Sequence, residues 1–223
     1  LLNDLGGVYL VGRNTGSVIR CNKVVNVKDC NFGAKSLYLD EGCCHILVEQ
    51  NLCIGASEAS FNMHYGQGHI LRHNIFIDGG HAGIRASRDD GGCLFSAYQN
   101  ILIGSESAYR AGYALANLAQ STARADFNLI WPGNEKEAVL LHPPYLGHEH
   151  VPFTDWQAAG NDRNAVFADP LFIDAASGDY HLQPDSPAHK LGFREWDHSH
   201  AGPVDPDTLP DYRSSTGHHP SEF

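Results

Sequence analysis

Charge is scarce in this chain. Only 18% of its 223 residues are Asp, Glu, Lys or Arg, against about 25% in an ordinary globular domain. Basic residues are the rarer sign, 15 against 26 acidic. A net charge of −11 gives no basic face to a nucleic-acid backbone, the footprint such a binder needs. Long apolar runs are also missing, and none approaches the roughly 18 residues of a membrane-spanning helix. Helical periodicity of useful length is absent through Trp131, which argues against leucine-rich or ankyrin repeats. An apolar fraction of 42% excludes disorder over the whole length.

A methionine start is lacking too. The chain opens Leu1-Leu2-Asn3-Asp4 and reads as a strand by Gly6-Gly7-Val8-Tyr9-Leu10. No charged and apolar leader precedes that strand, so a signal peptide is out of view. The expectation is the carboxy-terminal part of a longer domain. Six cysteines (Cys21, Cys30, Cys43, Cys44, Cys53, Cys93) match no paired C-x-x-C zinc pattern. They read as free thiols packed as small apolar residues, with one or two disulfides as the alternative.

What is present is a repeat. An Asn leads a short, mostly apolar segment at Asn22, Asn51, Asn74, Asn100 and Asn128, in steps of 29, 23, 26 and 28 residues. Apolar residues also precede each Asn, as in Ile46-Leu47-Val48 and Ile70-Leu71. A third strand set lies further upstream: Val8–Val11, Leu37–Asp40, Phe61–His64 and Ile84–Ser87. Three short strands per 25 or so residues, with Gly, Asn or Ser at the corners, predict an all-β, right-handed parallel β-helix of about five rungs over residues 1–131. The recurrent Asn reads as scaffold: its amide tolerates a left-handed bend, and stacked copies hydrogen-bond along a ladder.

After residue 131 the period fails. Residues 132–193 read as an irregular cap of loops, a short helix and strands, since a solenoid needs its open end covered. Thr154-Asp155-Trp156-Gln157 reads as a capping box opening a helical turn that ends near Gly160. Residues 194–223, with Pro203, Pro206, Pro210 and Pro220, read as an extended tail whose histidines (His198, His200, His218, His219) are solvated.

Several phrases together resemble a known group. Leu37-Tyr38-Leu39-Asp40-Glu41-Gly42, Met63-His64-Tyr65-Gly66, Asn74-Ile75-Phe76 and Asn128-Leu129-Ile130-Trp131 are similar to bacterial right-handed β-helix proteins. So is the ending Trp156–Gly160, Ala168-Asp169-Pro170-Leu171-Phe172, Asp179–Leu182, Asp185–Ala188 and Leu191-Gly192-Phe193. That group is the pectate-lyase-like superfamily, in particular its glycoside-hydrolase-like, repeat-containing members. The resemblance covers about residues 5–200. It implies a glycoside hydrolase acting on plant or algal polysaccharide, secreted to the extracellular space or periplasm. One fold hosts many activities, so the scaffold alone does not fix the reaction.

Strand alternation selects one face for chemistry. With Leu37, Leu39, Phe61, Met63, Ile84 and Ala86 inward, the outward columns are Tyr9, Tyr38, Asn62, Arg85 and Val11, Asp40, His64, Ser87. Glu41, Tyr65 and Arg88 stand at the corner, followed by Asp89 and Asp90. Acid, imidazole, guanidinium and phenol on one flank suit a sugar cleft, where aromatics pack on pyranose faces and carboxyls do acid–base work. The expected catalytic set is Asp40 as base or nucleophile, Glu41 or Asp90 as acid, and His64 orienting or shuttling protons. The expected substrate-binding set is Tyr38, Asn62, Tyr65, Arg85, Arg88 and Asp89.

Carboxyls on adjacent rungs would lie ~5 Å apart, as a retaining mechanism wants, and two rungs apart ~9–10 Å. Asp40 meets His64, not an acid, on the next rung, which leaves retention in doubt. Plain structural readings stand beside each assignment: a polar corner at Asp40-Glu41-Gly42, a stacking residue at His64, a solvated turn at Arg88-Asp89-Asp90. The expected partner is an oligosaccharide or polysaccharide, not nucleic acid or membrane. No cofactor or metal is expected for hydrolysis. The alternatives are a uronate lyase assisted by Ca²⁺, drawing on Asp89, Asp90 and Arg88 or Arg85, and a non-catalytic carbohydrate-binding solenoid.

Overall fold

Short strands separated by tight corners wind the chain into stacked coils. A computed structural model describes residues 3–30, 33–88, 91–105, 111–115, 121–132, 152–199 and 201. The first coil holds β1 (Leu5–Leu10), β2 (Val18–Arg20) and β3 (Lys23–Val25), and the second β4 (Ala34–Leu39), β5 (Leu47–Glu49) and β6 (Leu52–Ile54). The third holds β7 (Ala59–His64), β8 (His69–Arg72) and β9 (Ile75–Ile77), and the fourth β10 (Ala82–Arg88), β11 (Gly92–Tyr98) and β12 (Ile101–Ile103). The last holds β13 (Tyr113–Leu115), β14 (Ser121–Asp126) and β15 (Leu129–Trp131).

Equivalent strands pair in parallel, giving sheet A (β1-β4-β7-β10-β13), sheet B (β2-β5-β8-β11-β14) and sheet C (β3-β6-β9-β12-β15). The fold is the all-β, right-handed parallel β-helix that the repeat predicts. The path makes about four turns, slightly fewer than the five rungs expected.

Stacking puts like on like inside. Val8, Leu37, Phe61, Ile84 and Tyr113 form one inward column, and Leu10, Leu39, Met63, Ala86 and Leu115 the next. Full burial of such side chains contributes ~1.5–3 kcal/mol each, and the column geometry repeats that gain at every rung.

The Asn positions form a ladder. Asn51 Nδ2 donates to Asn74 Oδ1 (3.0 Å), Asn74 Nδ2 to Asn100 Oδ1 (3.0 Å) and Asn100 Nδ2 to Asn128 Oδ1 (3.1 Å). The left-handed residue is not the Asn, however, as the sequence reading assumed. It is the residue before it: Cys21, Gln50, His73, Gln99 and Phe127, with φ between 53° and 58°. The bend costs ~1–2 kcal/mol at a non-Gly residue. It is offset because the Asn side chain and the Asn backbone N–H both bond to neighbouring rungs.

The ladder ends on a different residue. Asn128 Nδ2 donates to Asp162 Oδ1 (2.8 Å), while Asp162 Oδ2 accepts from Tyr113 Oη (2.7 Å) and Trp156 Nε1 (3.0 Å). Trp156 lies on α1 (Phe153–Ala158) and closes the end of the core. The expected capping box is corrected: Pro152 is the N-cap and no side chain caps the helix. Thr154 already lies inside the first turn, two residues past the N-cap, because a proline before Phe153 presets the entry.

The remaining chain does more than cover the end. β16 (Val166–Phe167) adds a sixth strand to sheet C. β17 (Phe172–Asp174), β18 (Asp179–Leu182) and α2 (Pro187–Lys190) then pack along the outside of that sheet. Leu182, Ala188, Leu191 and Phe193 cover Leu52, Ile75, Ile77, Ile101 and Ile103. This is why the triplets of β6, β9 and β12 are apolar throughout: they are buried on both faces. Gln99 Nε2 and Gln50 Nε2 bond the carbonyls of Leu191 (3.0 Å) and Glu195 (3.5 Å). His198 is therefore not solvated as expected: it is buried and stacked 4.3 Å from the His181 ring. His200, His218 and His219 lie outside the described residues.

The expectation of free thiols holds, since all six cysteines are unpaired, but Cys21 and Cys30 are exposed, not packed.

Candidate functional site

The outer surface of sheet A carries a groove of about 630 Å³. Of the residues expected there, Asp40, Glu41, His64, Tyr38, Arg85 and Arg88 line it. Register explains the convergence. Tyr9, Tyr38, Asn62 and Arg85 are successive partners across β1, β4, β7 and β10, as expected from alternation.

Asn62 does not reach the groove. It is fully buried, and its Oδ1 accepts from Arg85 Nη1 (2.8 Å), so it supports the guanidinium from beneath. Tyr65 stands at the rim with its ring edge-on to His64 at 4.8 Å. Asp89 and Asp90 lie outside the described residues. Among the described residues, no three His, Cys, Asp or Glu side chains gather as a metal site requires.

One end of the groove is an ionic lattice that the sequence reading missed. Lys35 Nζ lies 2.6 Å from Asp4 Oδ1, 3.1 Å from Glu58 Oε2 and 4.2 Å over the Tyr38 ring. Arg85 Nη1 reaches the other Glu58 oxygen at 2.8 Å. Lys35, Glu58 and Arg85 are all buried, which such charges tolerate only when paired and hydrogen-bonded. Strict alternation from Leu37 would turn Lys35 inward. The alternation instead breaks: Ser36 faces the core thiol of Cys53, so Ser36 and Leu37 are both inward and Lys35 emerges. Gly7 shows the same break one rung earlier, where a Cβ would sit 2.5 Å from a Val24 methyl group.

The other end holds the groups of acid–base character. Tyr9 donates its hydroxyl to Asp40. That bond, with some burial, pushes the Tyr9 phenol up to about 12. Burial first, then the Asp40 charge, raises the Tyr38 phenol as well. Both phenols therefore stay protonated at neutral pH. Asp40 is half-buried and Glu41 exposed. His64 Nδ1 lies 2.9 Å from Ser87 Oγ, another residue outside the expected set. His64 is followed by Tyr65 and Gly66, both left-handed (φ 63° and 86°). A Cβ on Gly66 would stand 2.0 Å from the Cys43 carbonyl oxygen, so glycine is required there.

A second depression of about 580 Å³ lies at the corner after sheet C, lined by Asn26, Lys28, Ser57, Asp78 and His81 among others. It shares no lining residue with the groove; Ser57 of its lining is followed in sequence by Glu58 of the groove.

Fold and site together define a parallel β-solenoid with a charged, aromatic-floored groove on the outer surface of sheet A. No protein-family model matches the chain, and neither does any curated protein or solved structure.

Proposed function

We propose that this chain is a carbohydrate-active enzyme: a glycoside hydrolase of the pectate-lyase-like superfamily's glycoside-hydrolase-like members, cleaving oligosaccharides or polysaccharides on the outer face of sheet A. The observation that carries this reading is the convergence of Asp40, Glu41, His64, Arg85 and Arg88 with Tyr38 on one groove. Four carboxylates there stand against three cations, Lys35, Arg85 and Arg88, and two of those cations are already paired within the lattice. A near-neutral, hydrogen-bonding cleft with an aromatic floor suits a hydroxyl-rich ligand better than a polyanion.

Asp40, held by Tyr9, acts as base or nucleophile; Glu41 or Asp90 supplies the proton to the leaving oxygen. Arg88 and Tyr38 bind the sugar. The reading needs no cofactor. A polysaccharide is too large to be taken up intact, so the reading carries with it an extracellular or periplasmic location.

The test is incubation with a panel of neutral and uronate polysaccharides, with and without Ca²⁺, following new reducing ends and unsaturated-product absorbance. Reducing ends without that absorbance are expected, and Asp40→Asn is expected to lower turnover at least ~100-fold. Unsaturated product would make the protein a lyase. Binding without turnover would make it a carbohydrate-binding solenoid, and an unchanged Asp40→Asn rate would remove the site assignment.

A further inference from the structure

We infer that Ser87 is a positioning residue that fixes His64 in one tautomer, proton on Nδ1, and so presents Nε2 to the groove as a proton acceptor. The observations are local and independent of any substrate. In the pairing of β10 with β7, Ala86 opposes Met63 but Arg88 opposes His64, so Ser87 is an extra residue and the ladder slips there. Bulges re-aim side chains in this way. The hydroxyl of Ser87 donates to the Met63 carbonyl (3.1 Å) and lies 2.9 Å from His64 Nδ1.

A hydroxyl has one proton and two lone pairs. With that proton on the Met63 carbonyl, Ser87 Oγ is an acceptor toward the ring, and Nδ1 must carry the hydrogen. The neutral imidazole is then unprotonated at Nε2. Nε2 has no hydrogen-bond partner among the described residues, and His64 lines the groove.

The ring is held on a second side by Tyr65. Leu39 pairs with Met63 and Cys44 with Gln67, so this corner is one residue shorter than the corner of the preceding coil. The shorter corner drives Tyr65 into the left-handed region (φ 63°), edge-on to the imidazole. Such strain at a non-Gly residue costs ~1–3 kcal/mol.

The chemical consequence rests on the hydrolase reading; the tautomer does not. In that reaction Nε2 takes a proton from a water or sugar hydroxyl in the groove. The imidazolium so formed keeps its Nδ1–H bond to Ser87. The charged groups nearest in the groove lining are Asp40 and Glu41 at the end of β4 and Arg85 and Arg88 of β10. Ser87 is not itself a nucleophile in this arrangement: it is buried, and its proton is committed to a backbone carbonyl.

The experiment is ¹⁵N and ¹³C NMR of His-labelled protein above the histidine titration range, with His64 assigned by the signal lost in His64→Gln. Wild type is expected to show Nδ1–H and a bare Nε2. Ser87→Ala is expected to shift His64 toward the Nε2–H form, and Ser87→Thr, which keeps the hydroxyl, to restore it. On a cleaved substrate, Ser87→Ala should lower kcat roughly tenfold, the scale of partners that orient an imidazole. KM should hold, and the acid limb of the pH profile should move. A wild-type His64 with its proton on Nε2 overturns the proposal whatever the variants do. So does an unchanged tautomer in folded Ser87→Ala, or labelling of Ser87 by a fluorophosphonate. The expected NMR signature without turnover of any polysaccharide supports the tautomer and removes the hydrolase reading instead.

Discussion

Replacing Asp162 with alanine tests how the Asn ladder is terminated. Asp162 is fully buried, and its carboxylate accepts from Tyr113, Trp156 and Asn128 at 2.7, 3.0 and 2.8 Å. In Asp162→Ala the Tyr113 hydroxyl and the Trp156 indole N–H each lose the acceptor they use. Asn128 Nδ2 keeps the Ala97 carbonyl at 3.0 Å and the Tyr113 oxygen at 3.2 Å. A buried donor without an acceptor costs ~1–3 kcal/mol, so two of them amount to ~2–6 kcal/mol. Alanine at φ 42° adds left-handed strain of ~1 kcal/mol or more.

One contribution acts the other way. Burial raises the Asp162 carboxyl above its ordinary value of 3.8 despite those donors, so removing it relieves a desolvation cost. The net expectation is a loss of about 3 kcal/mol at neutral pH, read from urea denaturation at constant m-value. Asp162→Asn tolerates the left-handed backbone and keeps one acceptor oxygen, so it should cost about half as much.

The pH dependence has a definite sign. A raised folded-state pKa means that the native protein binds the proton more tightly than the unfolded chain. The stability it contributes is present below about 3.8 and is lost as pH rises through the folded pKa. The gap between wild type and Asp162→Asn should therefore narrow as pH rises from about 4 toward neutrality. An Asp162→Ala loss under ~1 kcal/mol would refute the reasoning, because two buried donors cannot go unsatisfied so cheaply. So would a gap that widens with pH.

Glu58→Gln should lower stability by about 2–4 kcal/mol in the same assay, since Lys35 and Arg85 would share a buried site with one fewer counter-charge; a loss below ~0.5 kcal/mol would mean that groove water already screens the lattice. His69 is held down to about 4 by burial and by His45. Its contribution is present above about 6.5 and lost as pH falls through the folded value. His69→Leu should flatten that acid limb by up to ~3 kcal/mol, and a pH–stability curve identical to wild type would discount it.

The repeat was legible because a stacked solenoid writes its geometry into the chain. Each rung must supply inward aliphatics at the same points, and the Asn corner recurs because its amide bonds to the next copy. Asp40, His64 and Arg85 could be placed on one face from alternation alone. Three things could not. Lys35 was hidden by a break in that alternation at Ser36–Leu37, which carries no local sequence mark. The bond between Ser87 and His64 was illegible although both stand in one expected outward column, because the slip in pairing beside them depends on the neighbouring rung. Asp162 ends the ladder from outside the repeat, a carboxylate in place of a further amide, 34 residues from Asn128.

The amino-acid sequence by itself determined the architecture, the inward columns and which residues share the face of sheet A, because those follow from short-range periodicity. Only the tertiary structure decided that the segment after residue 160 covers sheet C, and which charges pair on sheet A. The physical reason is that burial of an outer face and neutralisation of a buried charge depend on where distant segments come to rest, and no local pattern encodes that.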